Sequence, residues 1–193
     1  MWQQIAPAFR MMLVLTVLTG LLYPGVVTGL CQVFFHDQAN GSLVVANGRV
    51  VGSSLIGQNF KKPEYFQPRP SAAGNDGYDP TASGAANYGP TNQKLADRVK
   101  ASVADFRKAN PDYSGPIPAD LVTSSASGLD PHISPASAEA QAARIAKARG
   151  IPVKGVLDLI ERYTEKRDLG FLGAPRVNVL AVNLALDRGF PNR

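Results

Sequence analysis

The sequence predicts an α+β protein: one N-terminal transmembrane helix followed by a single small soluble α+β domain. Three observations carry this reading. Between Arg10 and His36 lie 25 residues without a formal charge. Next, Asn47-Gly48 separates two short runs rich in valine. Further on, apolar residues recur at helical spacing in several separate stretches, which marks amphipathic helices.

The uncharged stretch, residues 11–35, comes first. At 1.5 Å per residue a helix of that length covers about 37 Å, more than the ~30 Å hydrocarbon core of a bilayer. Tilt, or a bend at Pro24, absorbs the excess. A cleaved secretory signal has a shorter apolar region, about 7–15 residues, and a small-residue cleavage site. This stretch is longer and lacks an Ala-x-Ala pattern. A lipoprotein site at Cys31 would need a small residue where Leu30 stands. Gly20, Gly25 and Gly29 leave shallow places where a neighbouring helix can approach closely. Arg10 and the free amino terminus are positive, whereas Asp37 follows the stretch. That asymmetry favours a cytoplasmic N-terminus and puts the rest of the chain outside the cytoplasm. The expected organisation is a short segment 1–10, a transmembrane helix 11–35 and a soluble domain 36–193.

The soluble part opens with β structure. Residues 42–45 and 49–51 flank Asn47-Gly48, both of which tolerate the positive φ of a tight hairpin turn. Leu55-Ile56 extends that sheet. Residues 61–92 are rich in Pro, Gly, Asn and Ser, but Tyr65, Phe66, Tyr78 and Tyr88 supply packing area. An ordered surface built from turns is therefore expected. Leu95, Val99, Val103 and Phe106 then form a helical stripe that ends before Asn110-Pro111. A second helix opens with Ser134 as N-cap and Pro135 in its first turn, and stops at Gly150. A third begins at Pro152, with Val153, Val156, Leu157 and Ile160 on one face. Residues 177–186 fit both the strand and the helix period, and Pro175 just upstream tips them toward helix.

Composition narrows the function. The formal charge of +5 over 193 residues is modest and scattered. Nucleic-acid binders concentrate their basic residues, so no nucleic-acid partner is expected. The single cysteine lies within the apolar stretch, so the soluble domain can build neither a disulfide nor a Cys-based zinc site. Asp130 and His132, with Ser124, Ser125 and Ser127 nearby, invite a Ser-His-Asp reading. They lack the Gly-x-Ser-x-Gly elbow between strand and helix, so Asp130 and Ser134 read as turn and cap residues. Asp130 and His132 supply only two metal ligands, and no catalytic or metal site is assigned. Phosphate-binding Gly-rich motifs are absent. Gln141 and Arg144, at i and i+3, share a helix face and could reach a phosphate or carboxylate together. Their spacing alone describes a solvated face.

Two small-residue segments, 52–58 and 83–92, and Arg69 between Pro68 and Pro70 form stiff, shaped loops. With an anchor and no cofactor motif, they point to an accessory subunit that docks on other proteins. The alternative of a different class is an anchored extracytoplasmic enzyme or ligand-binding domain that uses the Asp130–His132 region.

A resemblance sharpens this. GSSLIGQ (52–58), YFQPRPSA (65–72), SGAANYGPTN (83–92), DLVTSSASGLDPHISP (120–135), QAAR (141–144) and GAPRVNVLAVN (173–183) occur in order after the apolar stretch. Together they resemble the C-subunit family of the Kdp potassium-transporting P-type ATPases over nearly the whole chain. Ala86 stands where Ser is expected, and Ala174 where an acidic residue is usual. The resemblance implies a non-catalytic subunit of a bacterial inner-membrane complex that imports potassium using ATP and Mg. Its partners would be a channel-like subunit and an ATP-hydrolysing P-type subunit. The C subunit would hold the complex together and act as a catalytic chaperone that raises ATP affinity, with Gln141 and Arg144 contributing. Contacts with partners are expected at Gly20, Gly25 and Gly29 in the membrane, and at Arg69, Asn87, Asp130 and His132 on the domain. A domain outside the cytoplasm cannot touch cytoplasmic ATP. Either the coupling runs through the helix, or the domain lies inside and binds nucleotide directly.

Overall fold

Residues 2–191 are described by the structure, a computed structural model. They form two compact units, one up to Val51 and the other from Gly52 onward.

The first unit is dominated by helix. It starts at Trp2, nine residues before the uncharged stretch, and runs to Phe34 with none of its apolar window buried. Its parts are α1 (Trp2–Val17), a wider π-type turn (Leu18–Leu22) and α2 (Tyr23–Phe34). The wide turn has a local cause. Pro24 lacks an N–H, which disrupts the i to i−4 ladder. Tyr23 N–H instead reaches back five residues to Leu18 O, while Thr19 Oγ1 donates to Leu15 O at 2.6 Å. The helix accommodates its proline through this turn. A short α3 (His36–Ala39) follows. The hairpin β1 (Leu43–Ala46) and β2 (Arg49–Ser53) turns at Asn47 and Gly48, with φ of 52° and 74° as the dipeptide requires. Leu55-Ile56 does not extend this sheet; only an isolated bridge joins Ser53 to Ile56.

The second unit holds the core. Helices α4 (Gln93–Ala109), α5 (Pro135–Arg149), α6 (Val153–Arg162) and α7 (Val179–Gly189) accompany a three-stranded antiparallel sheet, with α5 and α7 packed against its central strand and α6 against both of them. Its strands are β3 (His132–Ile133), β4 (Thr164–Glu165) and β5 (Arg176–Asn178), in the order β3-β5-β4. Ile133 faces Val177, and Thr164 faces Val177 from the other side. Ile133, Ile145, Val156, Ile160, Val177, Val182 and Leu186 fill the centre. Phe106 of α4 packs with Leu121 and Ala140 in a smaller cluster.

The helix caps follow the sequence. Ser134 Oγ accepts the Ser137 N–H, and Gly150 closes α5 in the left-handed region. Two expectations change. On α6 the buried face is Val156, Leu159 and Ile160, while Val153 and Leu157 are exposed. Val153 is the first helical residue, and the core lies one turn further on. The run at 177–186 is not all helix. Its start is β5, and Asn178 then caps α7 by accepting Ala181 N–H at 3.0 Å, so the two competing periods belong to two successive elements.

Candidate functional site

The Pro-rich residues 63–72 belong to neither sheet. Their backbone N–H and C=O groups still require partners wherever they are buried. Two amide side chains on neighbouring helices take the place of a strand. Asn183 of α7 accepts Phe66 N–H at 2.8 Å and donates to Phe66 O at 3.0 Å. Gln141 of α5 accepts Gln67 N–H at 2.8 Å and donates to Gln67 O at 3.1 Å. Between them the Phe66 side chain is 0 % exposed and plugs the core.

Arginines extend the clamp. Arg144 donates from Nε to Asn110 Oδ1 (2.9 Å), from Nη1 to Tyr65 O (3.1 Å) and Pro63 O, and from Nη2 to Gln141 Oε1 (2.7 Å). Burial pushes its guanidinium down to about 10, with nearby Glu64 acting in the opposite direction. It remains charged at neutral pH, and its charge is satisfied by neutral oxygens in a fork that only arginine provides. Arg149 donates to Glu64 O at 2.8 Å, Phe190 O at 2.9 Å and Asp187 Oδ1 at 2.7 Å. Its guanidinium also lies 4.9 Å from the centre of the Tyr65 ring.

Gln141 and Arg144 do share one helix face, as their spacing predicts, but that face is not solvated. They are 1 % and 8 % exposed and turned onto the 63–67 backbone. One sequence signal points that way. The pair sits among Ala138, Ala140, Ala142, Ala143 and Ala146, small enough to let another backbone come close. A cleft of about 550 Å³ opens beside the clamp. Its charged lining is mixed, with Lys61 and Arg69 against Asp76 and Asp105.

A second cluster joins the same segment to the loop before β3. Arg69 Nη1 donates to Asp130 Oδ2 at 2.9 Å, and Asp130 Oδ1 accepts His132 N–H at 2.9 Å. His132 Nδ1 lies 3.6 Å from that same oxygen. Burial alone would raise the Asp130 carboxyl, yet the hydrogen bonds from His132 and Arg69 together hold it below its usual range. Tyr78 donates to Arg69 O at 2.8 Å, and its phenol is raised, chiefly by burial. Arg69 Nε is shielded from solvent and has no partner among the described residues. The backbone packs tightly here: a Cβ on Gly57 would come within 2.7 Å of Asp130 O, and Gly57 donates to Leu129 O at 2.8 Å.

The nearby serines serve the loop. Ser127 Oγ accepts Leu129 N–H at 3.1 Å and lies 3.4 Å from Ser125 Oγ. Asp120 accepts from Ser134 N–H, Ser134 Oγ and Ser137 Oγ, which fixes the start of α5. Among the described residues no group of three or more His, Cys, Asp or Glu side chains could hold a metal ion.

The remaining predicted contact residues are members of neither cluster. Asn87 has φ 50° and lines a separate cleft of about 300 Å³ with Arg98 and residues 122–126. Gly20, Gly25 and Gly29 belong to the N-terminal helix, where a Cβ at Gly25 or Gly29 would meet nothing within 4 Å. The sequence alone does not single out Asn183, Arg149 and Asn110 as holding this segment, because their partners lie far away along the chain.

Comparison with known proteins completes the picture. The family model described as KdpC, the c chain of K+-transporting ATPase, matches residues 5–188. A potassium-transporting ATPase KdpC subunit from Rhodospirillum rubrum is 55% identical over 191 residues, covering 99% of this chain and 98% of its own. The subunit of that name from Myxococcus xanthus is 56% identical over 191 residues, covering 98% and 90%. Another, from Koribacter versatilis, is 57% identical over 178 residues, covering 92% and 90%.

Proposed function

This chain belongs to the KdpC family, accessory rather than catalytic subunits of K+-transporting ATPases, and on that premise we propose that it assembles such a complex through its N-terminal helix. The observation that carries the proposal is the helix Trp2–Phe34. It is long and apolar enough to cross a membrane, and none of its apolar window is buried within the chain.

The partners are a channel-like subunit that carries potassium and a P-type subunit that hydrolyses ATP with Mg. Residues 36–193 lie outside the cytoplasm of the bacterial inner membrane, because Arg10 precedes the uncharged residues 11–35 and Asp37 follows them. In that topology the subunit acts as a catalytic chaperone at a distance. It binds one conformation of the pump more tightly than the other, and so raises the affinity for ATP. Gly20, Gly25 and Gly29 are the places for close helix packing. Gln141 and Arg144 contribute by keeping residues 63–67 in the shape that partners meet. Direct ATP contact by this pair would require a cytoplasmic domain and the release of the bonds that hold the segment.

Two measurements test this. The full chain, but not a version starting at His36, should co-purify with the other subunits, and its removal should raise the KM for ATP of the remaining complex. With Cys31 replaced by Ala, a cysteine at exposed Lys100 should react with a membrane-impermeant reagent on intact cells. Protection until the cells are permeabilised would place the domain inside and revive direct nucleotide contact.

A further inference from the structure

We propose that the hairpin tip between β4 and β5 is a preformed plug that seats in an apolar, acid-rimmed socket on a partner subunit of the same complex. This inference rests on the accessory-subunit reading and adds to it where contact is made.

Residues 169–175, LGFLGAP, carry no charge, and all of them are exposed. Leu169 is 83 % exposed, Phe171 68 % and Leu172 48 %. Large apolar side chains gathered at one protruding tip mark a surface meant to be covered. The tip has a defined shape. Asp168 and Leu172 exchange backbone hydrogen bonds at 2.9 Å each, and Gly170 N–H reaches Arg167 O at 3.1 Å. Leu169 holds a φ of 53°, a conformation uncommon for a side-chain-bearing residue and concentrated at binding sites. At the base, Arg176 donates to Glu165 at 2.8 Å and to Asp168 at 3.3 Å, bracing the two arms. A hairpin ordered in advance loses little freedom on binding, which favours affinity.

Charge selects the occupant. Glu165 and Asp168 are both engaged by Arg176, whereas Lys166 and Arg167 are exposed and form no ion pair among the described residues. Those two cations border the apolar tip and fit an acidic rim around an apolar pocket. An anionic lipid surface fits less well. Residues 165–176 hold three basic and two acidic side chains, a net charge of only +1. A continuous anionic headgroup layer would meet the Asp168 carboxylate as well as the two cations, whereas a discrete rim can face Lys166 and Arg167 alone.

The test uses the intact complex. Full-length chain carrying Leu169→Ser, Phe171→Ser and Leu172→Ser together is co-expressed with the other subunits and purified through its own tag. Val153→Ser, at an exposed apolar position on α6, is the control. The tip variant should melt at the temperature of the parent chain yet retrieve its partners about tenfold more weakly or worse, as loss of a central apolar anchor does. The control should retrieve them normally. A photo-crosslinking residue at position 171 should join the chain to a partner subunit. Normal retrieval by the tip variant, or crosslinks to lipid alone, would overturn the proposal while leaving the accessory role intact. If the parent chain itself retrieves no partner, both readings fall.

Discussion

Residues 63–72 and residues 165–176 each carry proline and a phenylalanine among charged and small residues, yet they meet opposite fates. The first is drawn into the domain, with Phe66 at the centre of the core. The second is pushed out, with Phe171 in solvent. Regular structure does not make the difference, because the buried segment is the less regular of the two. What differs is who satisfies the backbone. Helices α5 and α7 offer Gln141, Asn183, Arg144 and Arg149 to the first segment. The second satisfies itself through its own ladder and turn. An irregular segment can thus be buried when side chains supply the hydrogen bonds that a sheet would otherwise give.

Substitutions can break this contrast in graded steps. The largest effect is expected from Arg144→Ala, which removes the donor to Asn110 Oδ1, Tyr65 O and Pro63 O and leaves Gln141 Oε1 with the Gln67 N–H alone. It should cost about 3–5 kcal/mol, read as a fall in melting temperature of the full chain in detergent. Arg144→Lys should recover little of that, because an ammonium cannot reproduce the fork. Asn183→Ala should cost about 2–3 kcal/mol and release the Phe66 amide to hydrogen exchange, while amides near Phe171 stay unchanged.

A smaller effect with a pH signature is expected from Asp130→Asn. The carboxyl's folded pKa lies below its unfolded value of about 3.9. Its stabilisation is therefore complete above that value and is lost as pH falls through the depressed folded pKa. The variant should be about 1–2 kcal/mol less stable at pH 7, and the gap should close in acid. Last, the triple serine variant at the tip should change stability by no more than about 0.5 kcal/mol. A larger loss there would mean that the tip is part of the fold, and the contrast would collapse.

Local chemistry was legible in the sequence and distant chemistry was not. Asn47-Gly48 fixes its turn, and Ser134-Pro135 with Gly150 fixes both ends of α5, because each signal acts within four residues. The two-residue strands β3 and β4 escaped, since two residues display no period. The edge of α6 is not legible in the sequence because Val153 is as apolar as Val156, and only the tertiary arrangement separates them. The resemblance carried the family, and the comparisons bear it out. The roles of Gln141 and Arg144 within the domain were hidden for a simple reason. Their backbone partners lie 74 to 81 residues earlier in the chain. No reading of the helix by itself reveals a carbonyl so far away.

That separation has a consequence for synthesis. Residues 63–67 leave the ribosome early, whereas Asn183 and Asp187, which hold Phe66 and Tyr65, are separated from those partners by 117 and 122 positions. Until nearly the last turn of α7 has emerged, Phe66 has no complete socket and its amide no final acceptor. Closure of such long loops is slow, and it exposes apolar surface meanwhile. The nascent domain therefore waits, unfinished at its centre, for α7. A chain truncated before Asn183 should be handled by the cell as an unfolded protein, even though most of its helices have already been made.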